Sequence, residues 1–107
     1  MDTADRAAAV EAGWSWILSH RSEPIRRIAS EAARYPNLRG LYPYNSHDDL
    51  HFSRTVTYPY DQLPFITTNS SGDFEARDVD NRPLGSGDLV EMVRLVADAV
   101  TKYEAAV

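Results

Sequence analysis

Cysteine is absent from the 107 residues, which removes disulfides, thiolate metal sites and cysteine nucleophiles together and fits a reducing compartment. Lysine is nearly absent as well: Lys102 stands alone beside ten arginines, a bias of the kind a GC-rich coding sequence produces. Basic residues are outnumbered, 11 against 16 acids. The resulting charge of -5 argues against nucleic acid as a partner, because affinity for a phosphate backbone comes mainly from lysine and arginine contacts. No run approaches the roughly 18 consecutive apolar residues of a membrane span, so no membrane partner is expected. The N-terminal stretch MDTADRAAAVEAG carries acids where a signal peptide carries bases, and a cytoplasmic setting is the expectation.

The sequence also has no G-x-S-x-G elbow, P-loop or dinucleotide fingerprint. Gly85-Ser86-Gly87 resembles a phosphate-binding turn but lacks the required strand spacing, and Asp88 behind it would repel an anion. No cofactor is expected.

What is present suits one globular domain over residues 1–107, with 43% apolar and 25% charged residues. Val10, Trp14, Ile17 and Leu18 make one stripe on a 3.6-residue period, predicting a helix over roughly residues 3–19 with Thr3 as its N-cap. A second helix is predicted from about Pro24 to Arg34, capped by Ser22 and burying Ile25, Ile28, Ala29 and Ala32. Residues 35–48 read as a long ordered loop, since Pro36, Gly40, Pro43 and Asn45 break any period. From Asp49 the period becomes two: Leu50, Phe52, Val56 and Tyr58 alternate with polar neighbours, and Arg54 falls on the apolar side, needing either a bulge or a partner. Further strands are expected at Pro64 to Thr68 and Asp73 to Val79, joined by the turn Asn69-Ser70-Ser71-Gly72. Leu89, Val93, Val96, Val100 and Tyr103 mark the last helix, with Ser86 or Asp88 as cap. The fold class is therefore α+β: two layers in the order α-α-β-β-β-α, a three-stranded antiparallel meander with helices on one face.

A double-stranded RNA-binding domain shares the helix, three strands, helix order. Such domains open their last helix with a basic run, whereas this one opens Gly87-Asp88-Leu89-Val90-Glu91, and topology alone does not carry function.

Two of the three histidines flank two carboxylates in Ser46-His47-Asp48-Asp49-Leu50-His51. On an extended chain His47, Asp49 and His51 share a side, but three ligands within five residues of one strand cannot easily converge on an ion, and no metal is expected. A histidine beside a carboxylate also suits proton transfer, which makes His47, His51 and Arg54 the candidate catalytic residues, against the plainer reading of a polar turn feeding a strand. Tyr42-Pro43-Tyr44 and Tyr58-Pro59-Tyr60 flank that strand. Their four tyrosines offer rigid amphipathic contact surface and are candidate binding residues, against the plainer reading of a roof over the sheet. Charge is uneven: residues 20–39 hold Arg21, Arg26, Arg27, Arg34 and Arg39 against Glu23 and Glu31, and residues 40–107 hold eleven acids against five bases. Arg26 and Arg27 are the candidates for meeting an acidic partner, against the plainer reading of a solvated helix face.

The run from Leu41 to His47, then Leu50 to Arg54, Tyr58-Pro59 and Pro64-Phe65-Ile66 resembles an uncharacterised family of small actinobacterial proteins. Its members are labelled natural-product biosynthesis proteins because they occur beside such gene clusters. The resemblance implies specialised metabolism and brings no catalytic residues with it. Three functional expectations follow. The first is a non-catalytic accessory domain that engages a peptide, carrier protein or partner enzyme through its tyrosine-rich and arginine-rich surfaces, with a small-molecule intermediate as a further candidate ligand. The second is a small cofactor-independent enzyme of cyclase or isomerase type, with a histidine base and Arg54. The third, a toxin-neutralising immunity protein, suits the size and acidity alone.

Overall fold

The computed structural model describes residues 3–105. Its order is α1 (Thr3–Leu18), α2 (Glu23–Ala32), α3 (Pro36–Arg39), β1 (Tyr42–Ser46), β2 (Asp49–Ser53), β3 (Phe65–Thr68), β4 (Phe74–Arg77), β5 (Pro83–Gly87) and α4 (Leu89–Ala105). The strands form one antiparallel meander in sequence order, β1-β2-β3-β4-β5. The α+β class with helices on one face is thus observed, with five strands in place of the expected three.

Both extra strands lie at the sheet edges. β1 falls inside the expected loop, where Pro43 hides the period; it pairs along its whole length with β2, from Tyr42 opposite Ser53 to Ser46 opposite Asp49. β5 contains Pro83, Gly85 and Gly87, residues that disfavour a central strand but are tolerated where one side has no ladder to complete. α3 is a single turn in the same expected loop, fixed by Asn37, whose side-chain amide donates to Ala97 O in α4 at 2.9 Å.

The expected first strand also stops early. Ser53 is buried, and its hydroxyl accepts the backbone N–H groups of Thr55 and Asp61, both at 3.0 Å. A hydroxyl that offers the chain local partners competes with the ladder, so the backbone leaves the sheet there, and Val56 and Tyr58 lie outside any strand.

Helices α1, α2 and α4 lie where their apolar spacing puts them. Ile25, Ile28, Ala29 and Ala32 of α2 are all buried, and Ser22 caps the helix by accepting from Ile25 N. Asp88 caps α4, accepting from Glu91 N at 2.9 Å. Thr3 lies inside α1, and Leu18 turns partly to solvent at 36% exposure while Val10, Trp14 and Ile17 are buried. The core lies between these helices and the inward residues of the sheet, Leu50, Phe52, Ile66, Phe74 and Ala76. Trp14 crosses this layer. Its ring centroid sits 6.4 Å from that of Phe52, and its indole N–H donates to Leu41 O at 2.9 Å.

α1 approaches β1 so closely that only glycine fits at position 13. A Cβ there would stand 2.8 Å from Tyr42 Cε1 and 3.2 Å from Pro43 Cδ. At an uncrowded helical site, Gly→Ala stabilises by about 1 kcal/mol. Gly13→Ala should instead destabilise by about 1 kcal/mol, because overpacking outweighs the propensity gain. Urea unfolding of the two proteins measures the sign.

Candidate functional site

Helices cover one face of the sheet and leave the other open. Strand alternation puts Tyr42 and Tyr44 of β1, Asp49 and His51 of β2, Phe65 and Thr67 of β3, and Glu75 and Arg77 of β4 on this open face, all half-buried. Tyr44 stands directly opposite His51 in the ladder.

The rings on this face form a continuous row. Tyr42 stacks on Tyr60 at a centroid distance of 5.6 Å, Tyr60 on Tyr44 at 4.4 Å, Tyr44 on His51 at 5.1 Å, and His51 on Phe65 at 4.4 Å. Interplanar angles of 15° to 24° keep the rings nearly parallel. Four of the five rings stand on three neighbouring strands; Tyr60 arrives from the loop after β2 and fills the gap between Tyr42 and Tyr44. Tyr58 lies edge-on to Tyr60 at 6.1 Å and is 85% exposed. Three of the four expected binding tyrosines therefore join one surface, and the fourth stands at its rim.

The loop that delivers Tyr60 is held by an ion pair. Arg54 donates from Nε to Asp61 Oδ2 at 2.8 Å, and its backbone N–H donates to the same oxygen at 3.0 Å. The Asp61 hydrogen bond and charge raise the already high pKa of Arg54. Its guanidinium also lies 5.9 Å from the Tyr103 ring centroid, and Arg6 grips Arg54 O from α1. Arg54 thus falls past the end of β2, outside the alternation that aimed it inward, and its guanidinium is engaged by Asp61 and Tyr103.

His47 takes a positive φ of 56° in the two-residue turn between β1 and β2 and is exposed. That backbone is uncommon for any residue but glycine. The turn is anchored where Ser22 Oγ donates to Asp48 Oδ1 at 3.1 Å. His47 and His51 are consequently not convergent, and among the described residues no group of three or more His, Asp or Glu side chains could hold a metal ion.

Next to the ring row lies a polar groove of about 280 Å³, lined by Asp49, Phe65, Thr67, Glu75, Arg77 and Asn81. Thr67 donates its hydroxyl to Asp49, and Arg77 bridges Glu75 and Asn81. Sequence reasoning passed over Phe65, Thr67 and Arg77 as site residues. The available signal was the alternation of β3 and β4, which places them on the face that carries the tyrosines.

Electrostatics follow burial. Desolvation lowers the pKa of His51, and Asp49, with Oδ2 4.0 Å from Nε2, only partly opposes the effect. Burial raises the Tyr42 and Tyr44 phenols, with further contributions from Tyr60 to Tyr42 and from Asp61 to Tyr44, so both remain hydroxyl donors at neutral pH.

Arg26 and Arg27 lie in the other layer. Arg26 donates to His20 O at 2.8 Å, closing the C-terminal end of α1, and Arg27 lies over the inward-facing Phe74 at 5.3 Å. The two surfaces expected to work together are on opposite sides of the sheet.

A family model described as a family of unknown function (DUF6193) matches residues 8–103. The chain belongs to that family. The match spans every strand and all but the ends of α1 and α4, so the open face and its ring row lie wholly within the family domain. No curated protein and no solved structure matches the chain. No helix is long and apolar enough to cross a membrane among the described residues.

Two outcomes are expected from this geometry. Ser53→Ala leaves the backbone N–H groups of Thr55 and Asp61 without their acceptor and should cost about 2 kcal/mol in urea unfolding, with Tyr60 released from the stack. For His51 the folded pKa lies below the ordinary 6.5, so both folded and unfolded states are neutral above that pH. As pH falls through 6.5 the unfolded chain takes up a proton that the fold resists, so stability drops until the folded pKa is passed. His51→Phe keeps a stacked ring and should remove this part of the acid-side loss, measured by unfolding midpoints across pH 5 to 8.

Proposed function

We propose that this chain is a non-catalytic binding domain in specialised-metabolite biosynthesis, acting in the cytoplasm, and that it engages a peptide, carrier protein or partner enzyme across the open face of its sheet. The observation that carries the reading is the row of half-buried stacked rings on the sheet face away from the helices, with Tyr42 at its edge packed against α1. The rings use their faces on one another and offer ligands their edges, with phenol hydroxyls at the tyrosine end. Prestacked rings lose little conformational freedom on binding, which is what makes tyrosine effective at interfaces. An extended segment lying across β1 to β3 would meet apolar ring edges and hydroxyl donors first, then the Asp49, Thr67 and Arg77 groove. The pathway assignment rests on the resemblance of residues 41–66 to proteins labelled for natural-product biosynthesis.

One observation favours a second reading, a small enzyme. Burial lowers the pKa of His51 while Asp49, 4.0 Å away, opposes it, which favours the neutral imidazole that a general base at neutral pH requires. Arg54, the other member of that scheme, is occupied by Asp61.

Affinity capture from the source cells with quantitative mass spectrometry separates the two. The binding domain predicts that Tyr58→Ala/Tyr60→Ala reduces recovery of a specific partner about tenfold or more. It also predicts that His51→Phe leaves both partner recovery and pathway output intact. Loss of output in His51→Phe with the partner still bound would favour the enzyme, and recovery unaffected by the double tyrosine change would remove the sheet face from the interaction.

A further inference from the structure

The helix layer carries a second unpartnered surface. Among the described residues five large apolar side chains are exposed, and three of them, Trp16, Leu18 and Val90, sit around α2 at 56%, 36% and 57% exposure. Leu18 and Leu89 wall a groove of about 580 Å³ along the outer side of α2, whose rim includes Arg26, Arg27 and Arg34. A smaller cavity of about 290 Å³ shares Glu31 and Arg34 with it and reaches Val90. At the opposite end, Arg26 ties into His20 O, and His20 together with Trp16 and Arg21 lines a third hollow. The first two hollows adjoin through Glu31 and Arg34, and the third lies at the C-terminal end of α1, linked to the groove where Arg26 meets His20 O.

We propose that this surface docks an acidic amphipathic helix of a partner protein. Charge complementarity selects the partner: Arg21, Arg26, Arg27 and Arg34 face Glu23 and Glu31 here, a locally positive surface on a chain whose net charge is -5. The arginines keep donors free, since Arg26 spends one N–H on His20 O, the exposed Arg27 lies over Phe74, and the Arg34 side chain is 72% exposed beside Glu31. Shape selects a rod. Glu23, Arg26, Arg27 and Ser30 follow helical spacing along α2, with Arg34 in the turn just past its C-terminal end, so the groove runs beside an axis of about 15 Å, and an apposed helix fills it by ordinary ridge and groove packing. The exposed apolar residues supply the anchors such a helix needs. Glu23 and Glu31 sit between the arginines, which disfavours a uniformly anionic lipid surface or a phosphate backbone and suits a partner with spaced charges.

The inference does not rest on the sheet-face reading and stands if that face binds nothing. Its test uses a fluorescein-labelled synthetic peptide of about 18 residues with glutamate and leucine at helical spacing, long enough to hold a helix on docking. Fluorescence anisotropy should show saturable binding, accompanied by a change in the emission of exposed Trp16, while Trp14 stays buried. Arg21→Glu/Arg34→Glu, both at exposed positions, should weaken binding about tenfold, Val90→Asp should weaken it too, and Tyr58→Ala/Tyr60→Ala should leave it unchanged. If circular dichroism shows the arginine variant unfolded, Val90→Asp decides alone. The proposal is overturned by the absence of saturable binding, by affinity insensitive to the helix-layer variants, by loss of binding in the tyrosine variant, or by equal binding to a lysine and leucine peptide or to phosphatidylglycerol vesicles.

Discussion

The buried hydroxyl of Ser53 is the point on which the open face depends. Three groups meet it: the N–H of Thr55, the N–H of Asp61 and the hydroxyl of Thr55. Those bonds end β2, fold the following segment back over the sheet and bring Asp61 to where Arg54 can reach it. Tyr60, adjacent to Asp61, is thereby set between two tyrosines that β1 would otherwise leave two residues apart with a gap between them. A single polar atom in an apolar setting thus does what no hydrophobic contact could, because it specifies a direction as well as burial.

The two layers divide the chemistry. The sheet presents rings, hydroxyls and a mixed-charge groove, and the helices present arginines among isolated apolar side chains. Phe74 and Arg27 show the division at one place, with the ring facing the core and the guanidinium lying over it toward solvent. Under the two proposals above, each surface takes its own partner, and effective concentration would then add to whatever each achieves alone.

What could be read from the sequence were the periodic parts. Helices α2 and α4 declared their buried faces through spacing and their starts through Ser22 and Asp88, and the central strands declared theirs by alternation. β1 and β5 escaped because edge strands tolerate the prolines and glycines that normally argue for loops. The tyrosines were recognisable as binding candidates, but their union was not, since Tyr42, Tyr44 and Tyr60 meet only after the Ser53 turn folds the intervening chain. The inward place expected of Arg54 came from an alternation carried past the real end of β2 at Ser53, and its partner Asp61 lies seven residues on, at a separation with no periodic signal. Arg26 and Arg27 were grouped with the tyrosines by function alone, and the sheet separates them.

The ring row has a spectroscopic consequence. Aromatic chromophores held nearly parallel at 4.4 to 5.6 Å between centroids form a coupled, chiral array, and protons above each plane sit in the shielding cone of the next ring. The near-ultraviolet dichroism and the ring-current shifts of Tyr44 and His51 therefore report on the order of this face directly, so the domain carries its own label for anything that parts or tightens the stack.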